Sequence, residues 1–422
     1  MIKIITSQLT ILVMAIVLSA NAFAQTCPGS PGCLDPTFGN GGSVIYQVAT
    51  GNPAPMGLAT QSDGKLVALV IGGNKLMRMN TDGSLDPSFG AGGIVSISWV
   101  FTSGSTTYLG QVWGVAIQNV ASQERIVVVG MGHLANGRKV DQVLRLGRFL
   151  PDGSVDTTFG TSGSVIMNTG WDDEIVIQTD GKIVTGSGTI KRFNVNGTLD
   201  TAFGSGGLVS TGFSGLDIVI DPNGRILAGG EITIGKGNNA RNVMAVKRFS
   251  SSGVADTSFG SSGVATADFG NSSSSGQLIV DTLGNIIAAG FVNVNGGIID
   301  TQHYLAAARF TPNGLADASF GGTGRVKFVG AIGIGNGAVL QADGKIVLVG
   351  RLNNDYGLVR YNYDGTVDTG FGNNGSVITH VNGNDNVRAK LLQNDPGCAC
   401  DKIVMGAGGD GMNTSFARFV IQ

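Results

Sequence analysis

Short apolar runs separated by turn residues repeat along the whole chain. The clearest copy is "GAVLQADGKIVLVGRLNNDYGLVRYNYDGTVDTGFGNNGSVI", which begins at Gly337. In this copy "GAVLQ" predicts a strand, "ADGK" a tight turn and "KIVLVG" a second strand, while "YGLVRYN" and "SVIT" predict a third and a fourth. No window of helical length combines a 3.6-residue apolar period with start and stop signals. The pattern therefore predicts units of four short antiparallel strands, here called a to d.

A fixed phrase, "LDPTFGNGGSV" at residues 34–44, accompanies each unit. Its Asp is followed three residues later by Phe, and an Arg stands eight residues before the Asp from the second copy on. The Asp and Phe pairs are Asp35 and Phe38, Asp86 and Phe89, Asp156 and Phe159, Asp200 and Phe203, Asp256 and Phe259, Asp317 and Phe320, and Asp368 and Phe371. The Arg residues are Arg78, Arg148, Arg192, Arg248, Arg309, Arg360 and Arg418, the last with no downstream Asp of its own. Seven phrases spaced by 44 to 70 residues predict an all-β fold, a seven-bladed β-propeller with four antiparallel strands per blade.

The repeated residues are interpreted as structural. A catalytic set would not occur seven times, whereas a large ring on a short loop fills space between blades. An Arg and an Asp at constant spacing favour a partly buried ion pair. Strand a also ends in a polar residue, which either satisfies the adjoining turn or lines the channel: Gln61, Gln118, Gln178, Asp221, Asp281, Gln341 and Gln393.

The unit "DGKIVxxG…RFxxDGxLDxxFGxxGxV" resembles the delta-60 repeat of exported bacterial proteins, and its first three strands are similar to the NHL-type propeller blade. The resemblance covers residues 33–422 and implies the fold without implying one activity. Three copies depart from it in the a–b turn. Copy two has "VASQER", copy five "TLGN" and copy seven "NDPGCACDK".

The assignment of the four strands of each unit as a to d, from the inside of the ring outward, defines two faces of the ring. The a–b and c–d connections, which contain the repeated turns and phrases, share the repeated face. The b–c and d–a connections share the variable face, and loops on a rigid scaffold commonly carry function. The longest variable loops are predicted around 100–111, 131–141, 231–242 and 292–302.

The chain starts and ends inside a repeat. The first phrase is followed by a strand d at 43–48, and the last unit ends at a strand c over 414–420. We therefore expect the N-terminal strand to complete blade seven, with Asp35 meeting Arg418, which removes exposed strand edges.

Residues 1–24 have the pattern of a secretory signal peptide. Lys3 is followed by an apolar stretch at 11–18 and by Ala22-Phe23-Ala24, an A-x-A cleavage site. The apolar run is shorter than the roughly 20 residues of a membrane span. The predicted organisation is signal peptide 1–24, short segment 25–32 and propeller 33–422, in an exported protein cleaved near Ala24.

The four cysteines are Cys27, Cys33, Cys398 and Cys400. An exported protein permits disulfides, and the favoured interpretation joins Cys27 or Cys33 to Cys398 or Cys400. Local pairs within each group are the main alternative. Zinc binding through C-x-C is disfavoured because the sequence offers no second pair of ligands with the right spacing.

Composition narrows the partners. The net charge is −2, only 13% of residues are charged and no Lys/Arg-rich run occurs, so nucleic acid and anionic membrane surfaces are not expected partners. We expect a monomer that binds a protein or a glycan through its variable face.

Candidate chemistry is sparse. The three His residues lie in different blades, and no nucleophile-elbow, zinc-protease or phosphate-loop motif occurs. Neither catalytic nor cofactor-binding residues are assigned. The adjacent Asp172, Asp173 and Glu174 are expected to be solvated.

The most polar neighbourhood lies on the variable face of blades six and seven. It contains "NNDY" at 353–356, "HVNGNDN" at 380–386 and "GDGMN" at 409–413. Asp355, Asp385 and Asp410 are therefore the candidate ligands of a metal, for which Ca²⁺ suits such oxygen-rich loops. The alternative is that these residues only form turns.

Two function classes stay open. The favoured one is an exported noncatalytic binding or scaffold module. The alternative is a propeller enzyme acting on extracellular polymers, a glycan lyase or hydrolase. An enzyme is expected to gather carboxylates or His residues with perturbed pKa values at one channel mouth, and a binder an aromatic or apolar patch.

Overall fold

A computed structural model describes the chain from residue 30 to residue 421, with gaps. The described residues are 30–48, 53–99, 101–103, 106–134, 143–168, 170, 172–294, 302–382, 385–394, 401–408 and 413–421. The predicted signal peptide, Cys27, Cys398, Cys400 and Asp410 lie outside these residues, so the predictions made for them stay predictions. No helix in the described ranges is both long and apolar enough to cross a membrane.

The first strands of the chain form half of the ring. Strand β1 is Ser43–Gln47. Blade one consists of β2 Pro55–Thr60, β3 Leu66–Val70, β4 Lys75–Met79 and β5 Ile94–Ser96. Blade two consists of β6 Phe101–Ser103, β7 Thr106–Val120, β8 Gln123–Leu134, β9 Val143–Phe149 and β10 Ser164–Met167. Blade three consists of β11 Glu174–Ile177, β12 Ile183–Gly186, β13 Thr189–Phe193 and β14 Leu208–Ser210.

The remaining strands complete the ring. Blade four consists of β15 Ser214–Ile220, β16 Ile226–Ile234, β17 Arg241–Phe249 and β18 Val264–Ala267. Blade five consists of β19 Ser273–Val280, β20 Ile286–Asn293, β21 His303–Phe310 and β22 Arg325–Lys327. Blade six consists of β23 Gly333–Leu340, β24 Ile346–Leu352, β25 Asp355–Tyr361 and β26 Ser376–Thr379. Blade seven consists of β27 Asn386–Asn394, β28 Asp401–Gly408, β29 Asn413–Val420 and, as its outer strand, β1.

The seven sheets confirm the predicted β-propeller. Each contains four antiparallel strands in the order a-b-c-d, and the inner strands contact one another around the ring. The closure prediction is also confirmed, because β1 pairs with β29 from Ser43 opposite Ala417 to Gln47 opposite Asn413. Among the described residues the helical content is one 3-10 turn, Gly237–Asn239.

Blade two differs from the expected four strands. Its sheet has a fifth strand, because β6 pairs with the first residues of β7, and β7 pairs with β8 over its whole length. The segments around 100–111 and 131–141 were predicted as loops, and this is wrong for the parts that form β6, β7 and the end of β8. An insertion that extends an existing hairpin pairs its backbone N–H and C=O groups with the neighbouring strand, whereas a loop depends on side chains and water for these partners.

The core lies between neighbouring blades. Strand β3 is buried along its whole length, as expected for an apolar run that packs on both faces. All seven repeated Phe side chains are fully buried. Each ring lies against a glycine of the c–d turn in the next blade, as Phe203 does at Gly253, where an added Cβ would approach the ring to 2.8 Å. A glycine is required there because no side chain fits beside the ring.

Each repeated Arg joins two blades. Its Nε donates to the Asp carboxylate of its own blade at 2.7 to 2.9 Å in all seven copies. Its Nη1 donates to a backbone carbonyl of the next blade, as from Arg192 to Ser251. The guanidinium also lies over the ring of the repeated Phe, with 4.4 to 4.8 Å to the ring centroid. The phrase is therefore an interblade contact, repeated seven times.

Candidate functional site

The polar residues that end strand a serve the framework. All seven are buried. Five of them are Gln residues whose side-chain oxygen accepts a hydrogen bond from the repeated Arg at 3.0 to 3.5 Å. Asp221 instead accepts from Arg225, and Asp281 from Asn285. These contacts support the structural interpretation of the ring of polar residues over the channel-lining one.

The inner strands carry a second, irregular ring four residues before these positions. Its members are Gly57, Gly114, Glu174, Asp217, Gln277, Gly337 and Ala389. In blades one, two, four, five, six and seven this residue directly follows a shift of register between strands a and b. Such bulges redirect side chains and bend a strand. Small residues occupy this level in four blades, whereas Glu174, Asp217 and Gln277 bring polar side chains from three consecutive blades.

Lys390 of blade seven reaches the same level by crossing blade six. Its Nζ donates to the carbonyl of Asn336 at 2.6 Å. A Cβ added at Gly337 would lie 2.5 Å from the Lys390 Cε and 2.2 Å from the Gln277 Oε1. The absence of a side chain at Gly337 therefore makes room for Lys390 beside Gln277. Glu174, Asp217, Gln277 and Lys390 together are called the channel cluster.

The charges of the channel cluster influence one another. Burial raises the pKa of Glu174 well above its usual value, and the neighbouring Asp217 and Asp173 charges raise it further. Burial raises the pKa of Asp217 to about 6, against a hydrogen bond from the Leu278 amide and the charge of Lys390. Burial lowers the pKa of Lys390, against the charges of both carboxylates. All three side chains retain intermediate solvent exposure, so water reaches them at the inner strands.

The acidic residues beside Trp171 are not simply solvated, so that expectation is wrong. Asp172 is fully buried, where it accepts from Lys191 at 2.6 Å and from the Thr185 hydroxyl at 2.5 Å. Burial also raises the pKa of Asp173 to about 6. Strand β11 begins two residues after Asp172, which places these groups inside the ring.

Two of the three predicted metal ligands come together on the variable face. Asp355 begins β25, and Asp385 immediately precedes β27. With His380, which accompanies them in the d–a connection, they offer one ligand atom each within 4.8 Å of one another. The three residues are called the Asp–His cluster. Asp410, the third predicted ligand, lies outside the described residues.

The members of the Asp–His cluster differ in exposure. The His380 side chain is 55% exposed, and its Nδ1 lies 2.8 Å from the Asp355 Oδ1. Asp385 is fully buried and accepts from the amides of Val381 and Asn382 at 2.9 to 3.2 Å. Burial raises the pKa of Asp385 to about 6, and the hydrogen bond to Asp355 raises the pKa of His380. One buried and two accessible groups therefore meet at the surface between blades six and seven.

Comparisons with known proteins agree with the fold. A family model described as "Domain of unknown function (DUF5122) beta-propeller" matches residues 61–89, 178–203, 222–259 and 341–371. No curated protein matches the chain. The matched segments span the a–b turn through the repeated phrase in four of the blades.

Solved propeller structures are similar over most of the chain. The Dos1 propeller has 9% identity and a TM-score of 0.50, with 89% of this chain and 93% of that chain covered. A catalytically inactive virginiamycin B lyase from Staphylococcus aureus with Quinupristin has 12% identity and a TM-score of 0.48, covering 90% and 99%. The polysaccharide lyase Uly1 has 11% identity and a TM-score of 0.47, covering 87% and 90%. At such identities the likeness shows the fold alone: the chain is a seven-bladed β-propeller whose repeats are similar to those of the matching family model.

Proposed function

We propose that the protein is an exported, noncatalytic binding module that uses a divalent metal ion on its variable face. The observation that carries this proposal is the meeting of Asp355, His380 and Asp385, whose ligand atoms lie within 4.8 Å of one another. Asp355 begins strand c of blade six, and His380 and Asp385 belong to the d–a connection that follows this blade. Variable loops on a rigid ring are where a binding site is expected.

The donor set decides which metal fits. Two carboxylates and one imidazole suit Zn²⁺ or Mn²⁺, whereas Ca²⁺ prefers oxygen ligands throughout. The presence of His380 therefore moves the preference away from the Ca²⁺ expected from the Asp residues alone. Three protein ligands leave coordination positions open, through which a carboxylate or a hydroxyl of a protein or glycan partner can bind the ion.

The proposal is tested by titrating the metal-free mature protein with Zn²⁺, Mn²⁺ and Ca²⁺ in a calorimeter. We expect one ion of Zn²⁺ or Mn²⁺ per chain, with affinity reduced at least tenfold in Asp355→Asn and in His380→Ala. Asp343→Asn, an exposed turn residue of the repeated face, is the matched control. If the protein prefers Ca²⁺ and its affinity is unchanged in His380→Ala, the proposed ligand set is wrong. If none of the three ions binds saturably, the proposal itself is wrong.

A second series tests the location of the partner site. The triple replacement of Asp355, Asp385 and Asp410 by Asn is expected to weaken capture of a glycan or protein partner without unfolding the ring. Circular dichroism serves as the folding control. Unchanged affinity in the triple variant would refute this location.

One observation supports the alternative function, an enzyme that acts on extracellular polymers. Asp173, Glu174 and Asp217 have raised pKa values and lie where inner strands meet, as expected for groups that transfer protons. A panel of soluble polysaccharides tests it: new reducing ends indicate a hydrolase, and unsaturated sugar products indicate a lyase. If no substrate gives new reducing ends or unsaturated products, the binding role remains the favoured function.

A further inference from the structure

The channel cluster contains polar atoms that the protein itself does not satisfy. Within the described part of the chain, the Glu174 carboxylate has no hydrogen bond and no ion pair. Asp217 uses one oxygen to accept from the Leu278 amide at 2.5 Å, and Gln277 uses its oxygen to accept from the Ala338 amide at 3.0 Å. The second oxygen of Asp217 and the amide nitrogen of Gln277 remain available. These side chains keep intermediate solvent exposure, so their unpaired atoms can form hydrogen bonds with a ligand.

Acceptors and donors occupy different sides of this group. The free acceptors belong to Glu174 and Asp217 in blades three and four. The free donors belong to Gln277 of blade five and to Lys390, whose ammonium has three N–H groups and donates one to Asn336. No ion pair within 4 Å joins Lys390 to either carboxylate in the described structure, so a gap of more than 4 Å separates its nitrogen from their oxygens.

The arrangement of charge limits what fills this gap. An organic cation would pair with the carboxylates but would be repelled by Lys390. An anion would pair with Lys390 but would be repelled by Glu174, Asp217 and Asp173. A hydroxyl group donates one hydrogen bond and accepts others, so adjacent hydroxyls bind carboxylates and an ammonium at the same time.

A single metal ion does not fit the channel cluster. The described residues that bring three ligand atoms within 4.8 Å are those of the Asp–His cluster, and the channel carboxylates are not among them. The unpaired groups are spread over several blades instead. This spread suits a ligand several atoms wide.

We propose that the channel cluster binds a carbohydrate, whose vicinal hydroxyls donate to Glu174 and Asp217 and accept from Gln277 and Lys390. Glu174 is the first residue of β11, on the side where the d–a connections enter the inner strands, so the ligand enters from the variable face. This site is independent of the metal proposed for the Asp–His cluster.

An array of neutral oligosaccharides, followed by calorimetry with the best one, tests the proposal on the mature protein. Glu174→Gln and Asp217→Asn keep the shape of each side chain, and each is expected to weaken binding at least tenfold. Lys390→Met is expected to do the same. Asp180→Asn, an exposed turn residue on the repeated face, is the matched control and is expected to leave binding unchanged.

Three outcomes would overturn the proposal. They are the absence of binding by every neutral oligosaccharide, binding that is insensitive to Glu174→Gln and Asp217→Asn, and saturable binding of putrescine or of acetate in preference to sugars. Thermal unfolding of each variant shows that lost binding is not lost folding. Carbohydrate binding that persists in Asp355→Asn and in the presence of a chelator separates this site from the metal site, so each proposal fails or stands alone.

Discussion

The Nε of Arg418 donates to the Oδ2 of Asp35 at 2.8 Å and thereby joins two residues that are 383 positions apart. Lys402 adds a second ion pair to the same carboxylate at 2.9 Å. Arg418 also donates from Nη1 to the carbonyl of Thr81 in blade one. One guanidinium therefore connects the N-terminal phrase, the last blade and the first blade, and it closes the ring with the contacts used at every other blade boundary.

Replacing Arg418 by Met is expected to lower the free energy of unfolding by about 3–5 kcal/mol, because the buried Asp35 carboxylate keeps only Lys402 as an ion-pair partner and the contact to Thr81 of blade one is lost. Urea unfolding at neutral pH measures this change. The double variant Asp35→Asn with Arg418→Met is the control, and it is expected to recover part of the loss. A loss below about 1 kcal/mol in the single variant would show that the closing pair contributes little.

Deleting residues 25–48 is expected to lower the melting temperature strongly and to promote aggregation. The deletion removes β1, which leaves the edge of β29 unpaired, and it removes the buried Phe38 ring that lies beside Gly83. Differential scanning calorimetry and light scattering measure the two effects. A truncated protein as stable as the parent would contradict closure by the N-terminal strand.

Phe203→Ala is expected to cost about 3–5 kcal/mol of stability, since it creates a cavity between blades three and four and removes the ring beneath Arg192. Leu283→Ala is the control, because that side chain is 70% exposed in the a–b turn of blade five. Its effect is expected to stay within about 0.5 kcal/mol. Similar losses for the two variants in urea unfolding would contradict the role of the Phe in blade packing.

The fold could be predicted from the sequence because each blade repeats the same local signals. The "ADGK" turn and the apolar strand after it form the hairpin of β23 and β24 where the pattern placed them. Closure followed from Asp35 and Arg418 each lacking a partner within its own repeat. The extra strand β6 was missed because an insertion that extends a hairpin has no counterpart in the other six repeats.

The channel cluster could not be predicted in the same way. Glu174, Asp217 and Lys390 come from blades three, four and seven, and no fixed spacing in the sequence relates them. Lys390 can cross blade six because Gly337 has no side chain. In the sequence, Gly337 cannot be distinguished from the many glycines that form turns. The one available signal is the presence of Glu174 and Asp217 at a level where other copies have Gly or Ala. The meeting of His380 with Asp355 likewise depends on how two connections pack.

A disulfide that joins Cys27 or Cys33 to Cys398 or Cys400 stays the favoured prediction, to be checked by non-reducing peptide mapping. Cys33 is buried, and no free cysteine occurs among the described residues. The Cys33 carbonyl accepts from the Val420 amide at 2.9 Å, and the Ile421 amide donates to the Asp401 carbonyl at 3.1 Å. The C-terminal residues therefore contact both Cys33 and Asp401, the residue that follows Cys400 in the sequence.

The peptide map also identifies the alternatives. Pairing of Cys27 with Cys33 and of Cys398 with Cys400 would end the prediction. If the long-range bond exists, reduction is expected to lower stability by on the order of 5 kcal/mol in the chain-entropy model, because the bond closes a very long loop. Cys33→Ala under oxidising conditions is expected to reproduce most of that loss.

Asp217→Asn is expected to stabilise the protein at neutral pH. Burial raises the pKa of Asp217 from 3.8 to about 6, so the folded state takes up a proton before the unfolded state as the pH falls. The ionised carboxylate therefore costs stability above about pH 6, by up to about 3 kcal/mol for a shift of this size, and the cost disappears below about pH 4. Asn keeps an oxygen that accepts from the Leu278 amide, so the variant removes the charge and retains the hydrogen bond.

Urea unfolding of parent and variant between about pH 4 and about pH 8 measures this difference. Asp256→Asn is a control for which the opposite change in stability is expected. The Ser258 hydroxyl and Arg248 lower the pKa of Asp256 to about 2, so its carboxylate stabilises the folded state at every pH above about 4 and the variant is expected to be less stable there. The gap between parent and Asp217→Asn is expected to open as the pH rises from about 4 to about 6. A gap that is constant with pH would show that the Asp217 carboxylate keeps its ordinary pKa in the channel, and that the inner strands leave it as well solvated as an exposed side chain.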